Sequence, residues 1–342
     1  MQSYNRFYLK NRMFIESNVQ ISQGYSEGKW EYETKNTGDP YQTEEKSTSN
    51  NFRPNAELLV GIGRIEPVED MRLAIYILEE LQKAKRLKRV PTKAEIIEFA
   101  ELISTLRNER FFDSRLKRIH ELEQLDTFLV SKDLISDYDA THFAIIMDNW
   151  DYAAGPDRNA GWRISTGIGG SINWNKMESI SWTNNYMDFT SNSDYTRSQL
   201  RGILNLIYAK PVNLYWQIDF GIQLIMGTDM YGKDKIFVLD SDVNKFIIVS
   251  PYCSVGYYPN SRSSYRLSLS PDYYNRIDEN PQYLSLDFII GGNYYISQQL
   301  RLNFGIHSYF KHGESQTGSF LYDDYKNGFN YSAHVDLTYS IL

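Results

Sequence analysis

The chain has 342 residues, a formal net charge of -7, and 27 Tyr, 17 Phe and 6 Trp set in a sequence whose mean hydropathy is only -0.50. The acidic balance argues against a nucleic-acid binder, which carries a basic face, and a single cysteine, Cys253, excludes an intrachain disulfide framework or a Cys-based zinc site. No run reaches the roughly eighteen apolar residues of a membrane helix, so apolar and polar side chains must interleave.

Interleaving of this kind suits the strands of an outer-membrane barrel, which are apolar at every second position, and it also suits a soluble β-sandwich. Met1–Lys10 lacks the apolar stretch of a secretory signal. A barrel reading therefore expects that signal to have been removed or to lie outside this sequence.

The first predicted strand is Arg12–Tyr25, with Met13, Ile15, Val19, Ile21 and Tyr25 on one face and Glu16, Asn18, Gln20, Ser22 and Gly24 on the other. That is period two over more than the roughly nine to eleven residues a tilted strand needs to cross a bilayer. Ser26–Asn51 is polar, without apolar runs, and reads as an exposed loop. Phe52–Ile65 is the second strand, Phe52, Ala56, Leu58, Val60 and Ile62 facing one way and Arg53, Asn55, Glu57, Gly61 and Gly63 the other.

Pro67 then ends the ladder, and the apolar period changes from two to about 3.6. Four helices are predicted. Met71, Ala74, Ile75, Leu78 and Leu81 form the stripe of the first, and Ile96, Phe99, Ala100 and Ile103 that of the second, which Thr92 and Glu95 open as a capping box. A third, from about Asp113, carries Leu116, Ile119, Leu122, Leu125 and Leu129. Asp139 is placed to cap a short fourth with Phe143, Ile146, Met147 and Trp150.

Eight further strands are predicted, approximately Gly161–Asn175, Thr196–Tyr208, Val212–Thr228, Lys245–Tyr258, Ser264–Tyr274, Gln282–Ile296, Gln299–Lys311 and Gly328–Leu342. If the N-terminus lies inside, the long polar connections Ser26–Asn51, Lys176–Tyr195, Asp229–Asn244, Asn275–Pro281 and His312–Asn327 all fall outside. The tight ones, Ala209–Pro211, Pro259–Ser263 and Ser297–Gln298, fall inside together with the helical block. Outer-membrane barrels obey this parity, and a soluble sandwich has no reason to.

Gly61–Pro67 (GIGRIEP), Arg110–Arg118 (RFFDSRLKR) and Asp148–Tyr152 (DNWDY), set between barrel-like halves, resemble a group of Bacteroidota-type outer-membrane β-barrel proteins with an α-helical insertion. The resemblance implies architecture and location. It brings no activity, cofactor or catalytic residue to any position here.

The sequence thus predicts a mainly β fold, a transmembrane antiparallel up-and-down β-barrel of about ten strands with a periplasmic α-helical insertion after the second strand. Residues 1–65 supply two strands and a long outside loop, 66–158 the insertion, and 159–342 the other strands. The expected location is the bacterial outer membrane.

Glu16, Glu57, Asp219, Asp287 and Asp336, with Arg53, Arg163, Arg201, Arg266 and Arg301, are expected to face the lumen as a charged network, because buried charge is tolerable when paired. His307 and His334 join that face on neighbouring strands. Paired with Asp287 and Asp336 they are the only pattern suggesting catalysis, but lie nearer mid-barrel than the outer rim. Gly61-Ile62-Gly63-Arg64 precedes a proline inside a strand, so it fails as a dinucleotide-binding turn. The basic run Lys83–Arg89 fits a solvated helix end, and His120 and His142 read as structural. Asn184–Asp188 and Tyr322–Tyr325 offer aromatic and acidic loop residues without a defined ligand.

The leading functional expectation is a non-enzymatic barrel whose helical insertion docks a periplasmic or outer-membrane protein partner. The alternatives are a narrow channel or solute transporter gated by the insertion, and a barrel hydrolase of omptin-like type. The expected contacts are outer-membrane lipid and an envelope protein, with no nucleic acid, cofactor or metal.

Overall fold

Strand alternation organises most of the chain. In the computed structural model, which describes residues 1–34, 41–109, 114–135, 140–152, 158–183, 186–233, 243–277, 282–297, 299–313 and 328–340, eleven strands join in chain order into one antiparallel sheet. They are β1 (Gln2–Tyr8), β2 (Met13–Thr34), β3 (Tyr41–Pro67), β4 (Asn159–Thr183), β5 (Tyr186–Pro211), β6 (Trp216–Lys233), β7 (Val243–Tyr257), β8 (Ser263–Arg276), β9 (Gln282–Tyr295), β10 (Leu300–Gly313) and β11 (Gly328–Tyr339). The helices α1 (Glu69–Lys83), α2 (Lys93–Asn108), α3 (Ser114–Ser131) and α4 (Ala140–Asp151) all lie between β3 and β4.

Three expectations change. The first ten residues contribute β1, which pairs with β2 from Gln2↔Gln20 to Tyr8↔Phe14, so the described strands number eleven rather than ten. Seven residues are too few for a clear apolar period. The pairing is anchored instead by an ion pair, Arg6 to Glu16 at 2.7 Å.

Ser26–Asn51 and Lys176–Tyr195 are, where described, strand rather than loop. The β2–β3 ladder continues to Thr34↔Tyr41, and β4–β5 to Thr183↔Tyr186 past a register shift at Ser181/Trp182. Apolar residues such as Trp30, Met177 and Ile180 are too scattered in these arms to announce a strand, and cross-strand polar contacts such as Lys46 to Glu27 at 2.8 Å accompany the backbone ladder. At about 3.3 Å per residue the 27 residues of β3 span about 90 Å, far beyond a hydrocarbon core of about 30 Å.

The third change concerns closure. Among the described residues β1 and β11 are the two ends of the sheet and are not paired with each other, and β11 is exposed along almost its whole length. Proline breaks a ladder elsewhere: β7–β8 pairing lapses between Val249↔Tyr273 and Cys253↔Leu269, where Pro251 and Pro271 have no N–H to donate.

The helical block has its own core. Leu73, Ile77, Leu78 and Leu81 of α1, Phe99, Ile103 and Leu106 of α2, Leu122, Leu125 and Leu129 of α3, and Ile146 of α4 are all buried in one cluster. Helices of 12 to 18 residues are marginal alone; burial at about 1.5–3 kcal/mol per large apolar side chain holds them.

The predicted capping box is present: Thr92 Oγ1 accepts from Glu95 N–H at 3.3 Å, and Thr92 N–H donates to Glu95 Oε2 at 2.8 Å. The stripes were only partly read. In α1, Leu73 and Ile77 are buried while Met71 and Ile75 are half-buried, because the helix is covered on two sides. Leu116 and Ile119 of α3 and Phe143 of α4 are exposed. The predicted helix start at Asp113, the cap at Asp139, residues 110–113 of the RFFDSRLKR run, 184–185 of NNYMD and all of YDDY lie outside the described residues.

Candidate functional site

Strand pairing carries side chains from one strand to the next on the same face. The series Asn18↔Glu57↔Gly169↔Arg201↔Gly227 crosses β2 to β6, and Asp219↔Ser254↔Ser268↔Ile289↔His307↔Ser332 crosses β6 to β11. By this register Glu16, Arg53, Glu57, Arg163, Arg201, Asp219, Arg266, Asp287, Arg301, His307, His334 and Asp336 all share one face of the sheet. That face is the more buried one, containing Phe14, Glu16, Leu59, Ser165, Ile203, Gln217, Asp229 and Phe246.

Ion pairs on this face reach across an intervening strand. Arg201 of β5 meets Glu57 of β3 at 2.6 Å, and Arg266 of β8 meets Asp219 of β6 at 3.1 Å. Long side chains that meet over a neighbour mark the concave side. Gly169 lies beneath the first pair; a Cβ there would stand 3.1 Å from both Arg201 Nε and Glu57 Cγ. A side chain at that point would require both partners of the bridge to give way by a few tenths of an ångström.

Most of the predicted charges have partners. Asn18 donates to Glu57 at 3.2 Å, Arg53 to Asn173 at 3.1 Å, and Arg201 to Asn55 at 2.6 Å. Arg163 lies 5.9 Å from the Phe14 ring, and Arg301 lies 5.7 Å from that of Tyr295. His307 pairs with Asp287. His334 and Asp336 stand 3.8 Å apart and are both well exposed, and the residue opposite His307 is Ser332 rather than His334. The two histidines therefore do not form one constellation.

Sequence reasoning missed a second cluster on the same face. Arg197 grips Asp229 through two bonds of 3.1 and 2.6 Å, Gln199 Nε2 donates to the same carboxylate at 2.7 Å, and Arg276 stands 4.0 Å from it. Asp229 is fully buried. Arg197 lies inside the predicted strand Thr196–Tyr208 and continues the alternation of Gln199 and Arg201, but Asp229 falls one residue beyond the predicted strand end at Thr228.

The opposite face is apolar and exposed. Met13, Ile15, Val19 and Ile21 of β2, Leu58, Val60 and Ile62 of β3, and Leu200 and Leu204 of β5 lie on it. At the end nearest the helices it carries a row of half-exposed aromatic rings. Trp162 faces Tyr208, and the rings of Trp216 and Tyr257 lie 4.6 Å apart, with Tyr265 6.2 Å beyond.

The helical block is fixed to the short-turn end of the sheet. The ladder of β3 and β4 runs on into it, Val68 N–H donating to Arg158 O at 2.9 Å, and Gly63 at a φ of 103° lets β3 pass close against Trp162 O. Arg158 is 1% exposed. Its guanidinium donates to the carbonyls of Asn213 at 2.8 Å, Trp216 at 2.9 Å and Leu214, and lies over the Tyr258 ring at 4.9 Å.

From α1, Tyr76 Oη–H donates to Tyr258 O at 2.6 Å, and Glu79 accepts from Tyr215 at 3.2 Å. Burial pushes the Tyr76 phenol up to about 12, so it remains a donor at neutral pH. Asp148 of α4 pairs with Arg262, and the ring of Tyr152, just past the end of that helix, packs 5.4 Å from that of Tyr295. Sequence gave no hint of Arg158, because its acceptors are backbone carbonyls. Of the two helical histidines, His142 is buried with Nε2 2.8 Å from Asp126, and His120 stands 3.4 Å from Glu109.

No protein-family model matches the chain, and no curated protein matches it. Among solved structures it is similar to the ferric-catecholate import receptor Fiu of E. coli K12, with a TM-score of 0.33, 8% identity, and coverage of 100% of this chain and 54% of the receptor. It thus spans about half that receptor's length. It is also similar to OmpT, an outer membrane protein of Vibrio cholerae, at a TM-score of 0.28 and 8% identity over 95% of this chain and 98% of that one. The toluene transporter TodX of Pseudomonas putida gives 0.22 and 12% over 90% and 76%. Likenesses of this strength assign neither substrate nor partner.

Proposed function

We propose that the chain is a bacterial outer-membrane β-barrel protein that passes a small polar solute along its charged concave face, with the helical block held across its periplasmic mouth. Location rests on the apolar face and its aromatic row. Tyr208, Trp216, Tyr257 and Tyr265 stand where strands give way to short turns, and Trp162 where β4 leaves the helical block, the level at which outer-membrane barrels carry their interfacial aromatics. The helices at that same end are then periplasmic, and the long arms of β2 to β5 extend outside the cell.

The observation that carries the solute-path reading is the attachment of the block. Arg158, Tyr76 and Asp148 commit three separate parts of it to the turns between β5 and β6 and between β7 and β8. A block tied down in this way covers the sheet's mouth and controls access to the polar face. In a bilayer the unpaired ladder of β11 is too costly to persist, so β11 meets the β1–β2 edge and completes the wall.

A second reading, that the block docks an envelope partner, is favoured by Leu116 and Ile119 of α3, 53% and 49% exposed on its first turns. Planar-bilayer recording on the full chain, beside a version lacking 66–157, separates the two. Steady current that rises when the block is removed supports the solute path. Silence in both versions, with a defined protein co-purifying only with the intact chain, supports docking and ends the solute-path reading.

A further inference from the structure

The concave face holds a cleft of about 320 Å³ between β2 and β5, lined by Gln20, Ser22, Arg53, Asn55, Ser171, Asn173, Arg197, Gln199 and Arg201 among others. That size is at the small end of small-molecule sites. Three guanidiniums converge on it, and hydroxyl and amide groups share the rest of its lining with Pro54 and Ile172.

The charges around the cleft do not balance. Asp229 is held by Arg197, Gln199 and Arg276, and Glu57 is taken by Arg201. Among the described residues, the three arginines that line the cleft, Arg53, Arg197 and Arg201, thus face two carboxylates. Arg53 is exposed and its hydrogen bond goes to the neutral Asn173. Arg201 keeps its Nε buried without a hydrogen-bond partner among the described residues, an arrangement that costs free energy unless an acceptor arrives.

From this geometry we infer that the cleft binds a small solute carrying a carboxylate or phosphate-type oxyanion, with Arg53 as its exposed docking cation and Arg201 as its inner donor. Guanidinium forks suit such oxyanions because their donors match the spacing of two oxygens. Gln20, Ser22, Asn55 and Ser171 are placed for hydroxyls on the same solute. Asp229 and Glu57 hold the inner guanidiniums in place, so the site is preorganised without the ligand. The inference rests on reading the concave face as a solute path, and names what that path prefers.

The test is calorimetric titration of the full chain in detergent with inorganic phosphate, at constant ionic strength set by chloride. Saturable binding is expected, at least tenfold weaker in Arg53→Gln, and unchanged in Lys83→Gln, which removes an equal charge from the exposed end of α1. Arg53 is exposed, so its replacement leaves folding intact; unchanged heat-dependent gel mobility checks this. Absence of phosphate binding, or equal binding by Arg53→Gln, overturns the assignment. Binding does not require conduction. Phosphate binding without bilayer current therefore removes the solute path and keeps the oxyanion site, whereas current without phosphate binding removes the site alone.

Discussion

Replacing Arg158 with alanine removes the centre of the joint between helices and sheet. The side chain donates to the carbonyls of Asn213 at 2.8 Å, Trp216 at 2.9 Å and Leu214, and a ring lies 4.9 Å away. A hydrogen bond to a charged group contributes about 1.5–3 kcal/mol, a desolvated cation–π contact about 2, and breaking a buried charge interaction costs about 3–5. These terms overlap, and removing Arg158 also relieves its own desolvation. The net loss of docking free energy is therefore about 3 kcal/mol, or roughly a hundredfold in the population of the undocked block.

Hydrogen exchange reads this directly. The Tyr258 amide donates to Tyr215 O at 2.7 Å beneath α1, and its protection should fall about a hundredfold. Ile103, buried in the block's own core, should keep its protection. Arg158→Lys retains the charge but loses the fork and should fall between the two. Unchanged protection at Tyr258 would refute the anchoring argument. So would an equal loss at Ile103, which would mean that the variant unfolds the block rather than releasing it.

Gly169→Val places a side chain between Arg201 and Glu57, where a Cβ already stands 3.1 Å from each; overpacking of this kind costs about 1–3 kcal/mol, seen as a lower temperature for loss of folded-form gel mobility. Thr92→Ala removes the α2 cap and should cost about 1 kcal/mol, measured by exchange at the first turn of α2. The hydrogen bond from Arg89, with those from Thr92, holds the Glu95 carboxyl down at about 2. A carboxyl depressed in the folded state stabilises above its unfolded value and loses that contribution as pH falls toward 2. Block stability should decline across that window and decline less in Glu95→Gln, as followed by circular dichroism. For closure, Tyr4→Cys in a Cys253→Ser background, paired in turn with cysteines at Ser332, His334 and Asp336, should give an intramolecular disulfide for at least one partner, whereas intermolecular products alone would place a second copy at the seam.

Period-two patterning was enough to locate ten of the strands and to sort their faces, because in the central part of each strand one side meets an apolar environment and the other meets polar side chains. It failed in the arms, where apolar residues such as Trp30, Met177 and Ile180 are scattered among polar ones. The arms around Lys46 and Glu27 are held by backbone pairing and surface contacts, with too few apolar positions to set a period. β1 escaped for a related reason, being short and recognised by β2 through Arg6 and Glu16. Within the block, the capping box and the Phe99–Ile103 stripe were legible because local contacts fix them. Burial of Leu73 and Ile77 depends on which elements lie on two sides of α1, which spacing along one helix does not encode. The candidate cleft shows the same limit: Arg53, Arg197 and Arg201 lie within predicted strands, while Asp229, which holds Arg197, joins them only because β6 continues past Thr228.

The native single cysteine offers the most direct test that the apolar face meets lipid. Cys253 is exposed and sits on that face, across from Phe220 on β6 and Leu269 on β8. A nitroxide attached there in detergent, followed by reconstitution into vesicles, should be relaxed by molecular oxygen and shielded from a water-soluble nickel chelate. Strong relaxation by the chelate with little effect of oxygen would place Cys253 in water and contradict the membrane-spanning account.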